Sequence, residues 1–250
     1  MSALILALMA GAVVGLALGA LGGGGSVLAV PALIYLLDFT PAAAATASLL
    51  IVTATSATAL YAHARAGHVR WKTGAAFAAA GIIPAALAGM LAARLPQPVL
   101  TAAFAAIAAL AALKMLGTTR APADGPSQAV RPLQAGGAGV GLGAVTGLLG
   151  VGDGFLAVPA LVTVLAFEMQ AAVGTSLLVI TVNSLASLFS RSGGASGLDW
   201  AVVAPFAGAA VLGAWDGKRL AAKVSGRGLQ RLFAVVLLGV AAFMLADALT

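Results

Sequence analysis

The residues able to do chemistry gather at two glycine clusters, Gly22-Gly23-Gly24-Gly25 followed by Ser26, and Gly150-Val151-Gly152-Asp153-Gly154. A packing face in a membrane helix needs a small residue only at every fourth position, as Gly11, Gly15 and Gly19 provide. Consecutive glycines instead mark a break, because each costs a helix about 1 kcal/mol against alanine. Where a helix restarts after such a break, its first N–H groups are unpaired and lie at the positive end of the dipole, a ready place for an anion or a coupling ion. The expected contacts are therefore Gly24, Gly25 and Ser26 in the first cluster, with Gly152 and Gly154 in the second.

Asp153 has two compatible roles open to it. It is a good N-cap for the segment that follows. It is also a carboxylate expected within a membrane, where burial favours the protonated form and suits it to carry a coupling proton. The stretches after the clusters add hydroxyls and one amide, of which Ser48, Ser176 and Asn183 are the best placed. Most membrane Ser and Thr bond only to their own helix carbonyls, whereas an amide such as Asn183 needs a partner. His63 and His68 flank a basic loop and read as interface histidines. Asp216 reads as an ion-pair partner for Lys218 and Arg219, and Trp71 and Trp200 as aromatic anchors. With no cysteine and two histidines, neither a metal site nor a cofactor is expected. The glycine runs lack the Lys-Ser/Thr of a phosphate loop, and no catalytic constellation appears.

The elements that must carry these residues follow from composition. Hydrophobic residues make up 62% of the 250 and charged ones 8%, against roughly 25% charged in a soluble domain. The apolar runs are solid rather than alternating, so they read as helices and not barrel strands. They cover about 3–20, 27–37, 41–62, 73–93, 98–117, 135–149, 155–166, 170–190, 200–217 and 229–247. Residues 1–117 form a first membrane repeat, 118–134 a polar cytoplasmic linker, and 135–250 a second repeat. The formal charge of +6 sits mostly in loops, where it orients the chain and meets lipid headgroups, so no nucleic-acid partner is expected.

The repeat is explicit. Leu28-Ala29-Val30-Pro31-Ala32-Leu33 recurs as Leu156-Ala157-Val158-Pro159-Ala160-Leu161, each copy behind its glycine cluster. Segments 27–37 and 155–166 are about half the length that crosses hydrocarbon. Each cluster is accordingly expected to be a turn within the membrane, near its midplane. That leaves three full spans per half, and an odd number inverts the second half relative to the first. With both termini outside, eleven of the 13 basic residues face the cytoplasm, leaving only Arg94 and Arg191 outside. The fold expected is an all-α polytopic membrane protein of two inverted-topology repeats, each a glycine-broken re-entrant hairpin plus three transmembrane helices.

The doubled glycine-then-Pro-Ala-Leu pattern, with Ser48-Leu49-Leu50, Gly174-Thr175-Ser176 and Gly67-x-Val69-x-Trp71, resembles the sulfite exporter TauE/SafE (TSUP) family of membrane transporters. The resemblance covers essentially the whole chain. It implies secondary transport of a small sulfur-containing anion (sulfite, thiosulfate or an organosulfonate) by alternating access in a bacterial-type inner membrane. Where the family usually has glycine this chain has Asp153. A carboxylate there would repel an anion unless protonated or paired, so the anion specificity implied by the resemblance carries over less directly at that position. Its protonation would couple transport to protons. An anion channel, or a carrier of a cation or neutral solute with Asp153 as ligand, are the alternatives. Expected partners are the small anion and membrane lipids, and a homodimer is left open.

Overall fold

The structure, a computed structural model, describes residues 2–92, 96–117, 132–149, 154–190 and 198–249. Among these residues every regular element is helical. Helix α1 spans Ser2–Leu21, and a one-turn 3-10 segment, Gly22–Gly25, separates it from the short α2, Ser26–Pro31. Pro31 lacks the N–H that would continue the ladder, and the chain runs on as a widened turn over Ala32–Leu36. Then come α3 (Pro41–Arg65), α4 (Trp71–Ala92), α5 (Gln97–Gly117), α6 (Pro132–Leu149), α7 (Gly154–Thr163), α8 (Met169–Ser190), α9 (Trp200–Ala221) and α10 (Gly226–Leu249).

The helix starts use recognisable local chemistry. Thr40 caps α3, its Oγ1 accepting from Ala43 N at 3.4 Å, and Pro41 stands where a missing N–H is harmless. Asp199 caps α9 by accepting from Ala201 N at 3.0 Å. Trp71 and Trp200 open α4 and α9, each 54% exposed, as ring anchors at a membrane boundary should be. Five helices among the described residues are long and apolar enough to cross a membrane: α1, α3, α8, α9 and α10. Exposed Leu, Ile, Val, Met and Phe coat the outer faces of α1, α8, α9 and α10, which identifies the surrounding solvent as lipid rather than water. The chain is a multi-pass membrane protein.

Local structure repeats with the sequence. Asp38 and Ala166 both adopt the left-handed region, at φ 54° and 53°. Just past each, an amide reaches back to the helix it has left: Phe39 N donates to Leu33 O at 3.1 Å, and Phe167 N to Leu161 O at 3.0 Å. A left-handed conformation costs a non-glycine residue roughly 1–2 kcal/mol. Its occurrence at both matching sites, one of them an alanine with no local hydrogen bond of its own to offer, shows that the surrounding fold imposes it.

The strongest packing exchanges arms between the halves. Helix α1 runs parallel to α9, with Gly11, Gly15 and Gly19 facing the main chain of Phe206, Ala210 and Ala214 in turn. Helix α6 packs on α4 in the same way, with Gly139 facing Phe77 and Gly143 facing Gly81. At each of these glycines a β-carbon would overlap a carbonyl oxygen, so the backbones touch with no side chain between them. Helix α3 packs on α8, and α5 on α10.

Candidate functional site

The first glycine cluster is a true helix break. Gly22 takes φ +65°, which ends α1, and Gly23, Gly24 and Gly25 complete the turn before α2 begins at Ser26. Two features require glycine at position 22. Side chains rarely adopt that φ, and a β-carbon there would stand 2.6 Å from Ser176 Oγ. The turn packs against α7 and α8, so the break of one half rests on the second half. Gly154 is the first residue of α7. Gly152 and Asp153 lie outside the described residues.

The helices on the two sides of the first break differ in length. Helix α1 has 20 residues, about 30 Å at 1.5 Å per residue. Its last turn is held by His63, whose Nε2 donates to Gly19 O at 3.2 Å, and His63 lies in the last turn of α3. The break therefore sits toward the end of the bundle that holds His63, His68 and Lys218. Helix α1 before the break is long and α2 after it short.

Ser48 and Ser176 occupy matching positions and behave alike. Ser48 Oγ donates to Ala45 O at 2.9 Å and Ser176 Oγ to Val173 O at 2.8 Å, both from buried side chains. Each hydroxyl proton is thereby committed to its own helix, leaving lone pairs rather than a donor for a ligand. Ser176 supports the Gly22 turn; Ser48 lies on the opposite half.

Asn183 has a different setting. It lines a cavity of about 150 Å³ between α4, α6 and α8, many times the roughly 10–15 Å³ a single water requires. Thr146 and Ser187 supply the other polar side chains, and Gly81, Gly139 and Gly143 leave the helix backbones bare on one wall. Thr146 Oγ1 donates back to Leu142 O at 3.0 Å. Among the described residues, none that lines it is ionisable. Thr146 and Ser187 were not singled out from sequence, since a lone hydroxyl in an Ala- and Gly-rich helix gives no sign of which way it faces. The structure thus brings Asn183 to a cavity beside α6 and Ser176 to the first break, while Ser48 lies on α3 and is not among the residues that line that cavity.

At the basic end, Arg219 Nη1 meets Asp216 Oδ1 at 3.5 Å, the ion pair expected there, on exposed side chains. Across the core, Thr181 Oγ1 and Ser56 Oγ lie 3.0 Å apart and link α8 to α3. His63 is 3% exposed: the interface histidine of the sequence is a buried one.

The chain matches the family described as sulfite exporter TauE/SafE over residues 7–244. It is 33% identical over 248 residues to a "Probable membrane transporter protein" of Xylella fastidiosa (strain 9a5c), covering 97% of this chain and 95% of that one. A second "Probable membrane transporter protein", from Xylella fastidiosa (strain Temecula1 / ATCC 700964), is 32% identical with the same coverage. No solved structure matches the chain.

Proposed function

The chain belongs to the sulfite exporter TauE/SafE family and is a membrane transporter, and from that premise we propose that it is a secondary carrier of a small sulfur-containing anion such as sulfite, thiosulfate or an organosulfonate. The observation that carries this reading is the cavity between α4, α6 and α8. Among the described residues its lining combines an amide, two hydroxyls and bare glycine backbone with no ionisable side chain. Neutral dipoles of this kind can replace part of an anion's hydration shell yet release it again, as a carrier must. The cavity borders α6, the arm that leads into the second glycine cluster. The N–H groups at the start of α7, at Gly154 and beyond, then serve as further donors, as do those of Gly24, Gly25 and Ser26 at the start of α2.

We place the site between two inverted halves that alternate access. The exchanged seams support this: α1 on α9 and α6 on α4 are equivalent pairs, related by the sequence repeat. The orientation has both termini outside in a bacterial inner membrane. It is supported by the meeting of three basic segments at one end of the bundle: the α3–α4 loop, the end of α9, and the end of α5, where Gln230 of α10 donates to Met115 O. Asp153 is assigned the coupling proton, with an N-cap role in the same position.

Purified protein in proteoliposomes, offered radiolabelled sulfite and thiosulfate with and without a pH gradient, tests the proposal. Saturable, gradient-coupled uptake is expected. Unsaturable flux makes the protein a channel, and absence of flux with either anion overturns the reading.

A further inference from the structure

Beside the end of α1, buried His63 and half-buried His68 form a group that the transport reading leaves unused. His63 of α3 and His68 of the α3–α4 loop stand with ring centroids 6.0 Å apart. The Nδ1 atoms of both are buried without a hydrogen-bond partner. They line a cavity of about 10 Å³ together with Gln170, Lys218, Leu229 and others, close to the roughly 10–15 Å³ that one water needs. The loop bearing His68 is pinned: His68 N donates to His63 O at 3.1 Å, and Arg70 N donates to Thr175 Oγ1 at 3.1 Å. Gly174 presses on the same loop, since a β-carbon there would stand 2.7 Å from His68 O.

The tautomer of His63 follows from its partner. Gly19 O can only accept, so Nε2 carries the hydrogen. In the neutral ring Nδ1 is then a buried lone pair in need of a donor. An unmet buried acceptor costs about 1–3 kcal/mol, and a donor has to reach it from the cavity. The charged groups that face the pair are Lys218 of α9 and Glu168 at the entry to α8; α1 contributes only the Gly19 carbonyl, and α10 only Leu229.

We propose that His63 and His68 share one buried water and together form a proton-loading site at the end of α1, distinct from the glycine breaks and from Asp153. Uptake adds a proton from bulk water at Nδ1 of one ring and leaves the His63 Nε2–H in place. The bond to Gly19 O becomes charge-assisted and tightens α1 on α3. The same charge repels Lys218 on α9, the helix to which α1 is packed along its length. One proton therefore pulls two neighbours of α1 in opposite senses, at the point where α1 breaks.

The test does not depend on the transported solute. The chain contains two histidines, so the full-length protein labelled with ¹⁵N-histidine in nanodiscs gives two resolvable sets of ring signals. The neutral ring of His63 is expected as the Nε2–H tautomer. Lys218→Gln is expected to raise the His68 midpoint by about half a pH unit or more, and His63→Gln to move it as well. Lys218 is only half-buried, so its variant reports the coupling even where His63→Gln fails to fold. Independent titration of the two rings, with the His68 midpoint unmoved by Lys218→Gln, overturns the proposal. So does a His63 ring in the Nδ1–H tautomer.

Discussion

Gly15 of α1 and Ala210 of α9 are in direct backbone contact, so close that a β-carbon on the glycine would overlap the Ala210 carbonyl oxygen. Gly143 of α6 stands in the same relation to Gly81 of α4. Without a hydrophobic drive between helices in lipid, such close approach is what holds them, through dispersion and lost lipid contact.

Gly15→Ala should therefore destabilise. Overpacking ordinarily costs about 1–3 kcal/mol, and here the obstacle is backbone that cannot rotate away. Gly239→Ala in α10, where a β-carbon meets nothing within 4 Å, should leave stability unchanged or raise it by up to about 1 kcal/mol through helix propensity. Thermal unfolding in detergent compares the two; equal midpoints would contradict the seam.

Gly22→Ala meets two obstacles, the left-handed φ and Ser176 Oγ. Removing the hydroxyl in a Gly22→Ala/Ser176→Ala double variant should restore part of the lost stability and not all of it, since the backbone cost of roughly 1–2 kcal/mol remains. A double-mutant cycle on thermal midpoints measures the coupling. Strict additivity would mean that the turn does not rest on α8.

Asn183→Leu should lower initial sulfite uptake about tenfold or more. A hydrogen bond to a charged group is worth about 1.5–3 kcal/mol, and 1.4 kcal/mol is a factor of ten. The fall should appear in proteoliposomes at matched protein content, with the thermal midpoint little changed. Wild-type uptake by this variant would remove the cavity from the transport path.

Asp153→Asn keeps the capping ability and removes the proton. Its uptake should lose the acceleration that a pH gradient gives to the wild type while keeping measurable downhill flux. An unchanged pH profile would assign the carboxylate to capping alone.

His68 lies outside the spans, and burial, then the charge of Lys218, hold its pKa below the ordinary histidine value, partly offset by Glu168. As pH falls below about 6.5 the unfolded chain takes up the proton before the native state does. Stability is then complete at neutral pH and declines on acidification through that window. His68→Gln should flatten this part of a Tm-against-pH curve; a curve identical to wild type would refute the assignment.

Much of this arrangement was legible in the residues. Four glycines in a row announced the break at Gly22, and the matching Leu-Ala-Val-Pro-Ala-Leu strings anticipated the shared local structure at Asp38 and Ala166. The four-residue spacing of Gly11, Gly15 and Gly19 announced a close helix neighbour but not which one. The partner face on α9 is Phe206, Ala210 and Ala214, and alanines in an alanine-rich chain carry no signal. His63 was hidden for a related reason. A histidine near a basic loop reads as wet until tertiary packing sets Gly19 against it.

The exchange of arms also bears on how the chain is assembled. Synthesis delivers α1 first and its partner α9 almost last, whereas α4 meets α6 soon after both have emerged. The α4–α6 seam is thus free to close while the second half is still being made. The glycine face of α1, held until then by its neighbours α2 and α3, meets its main partner near the end of synthesis. The longest seam of α1 is therefore among the last to form, although the break that follows it is written into the local glycine sequence.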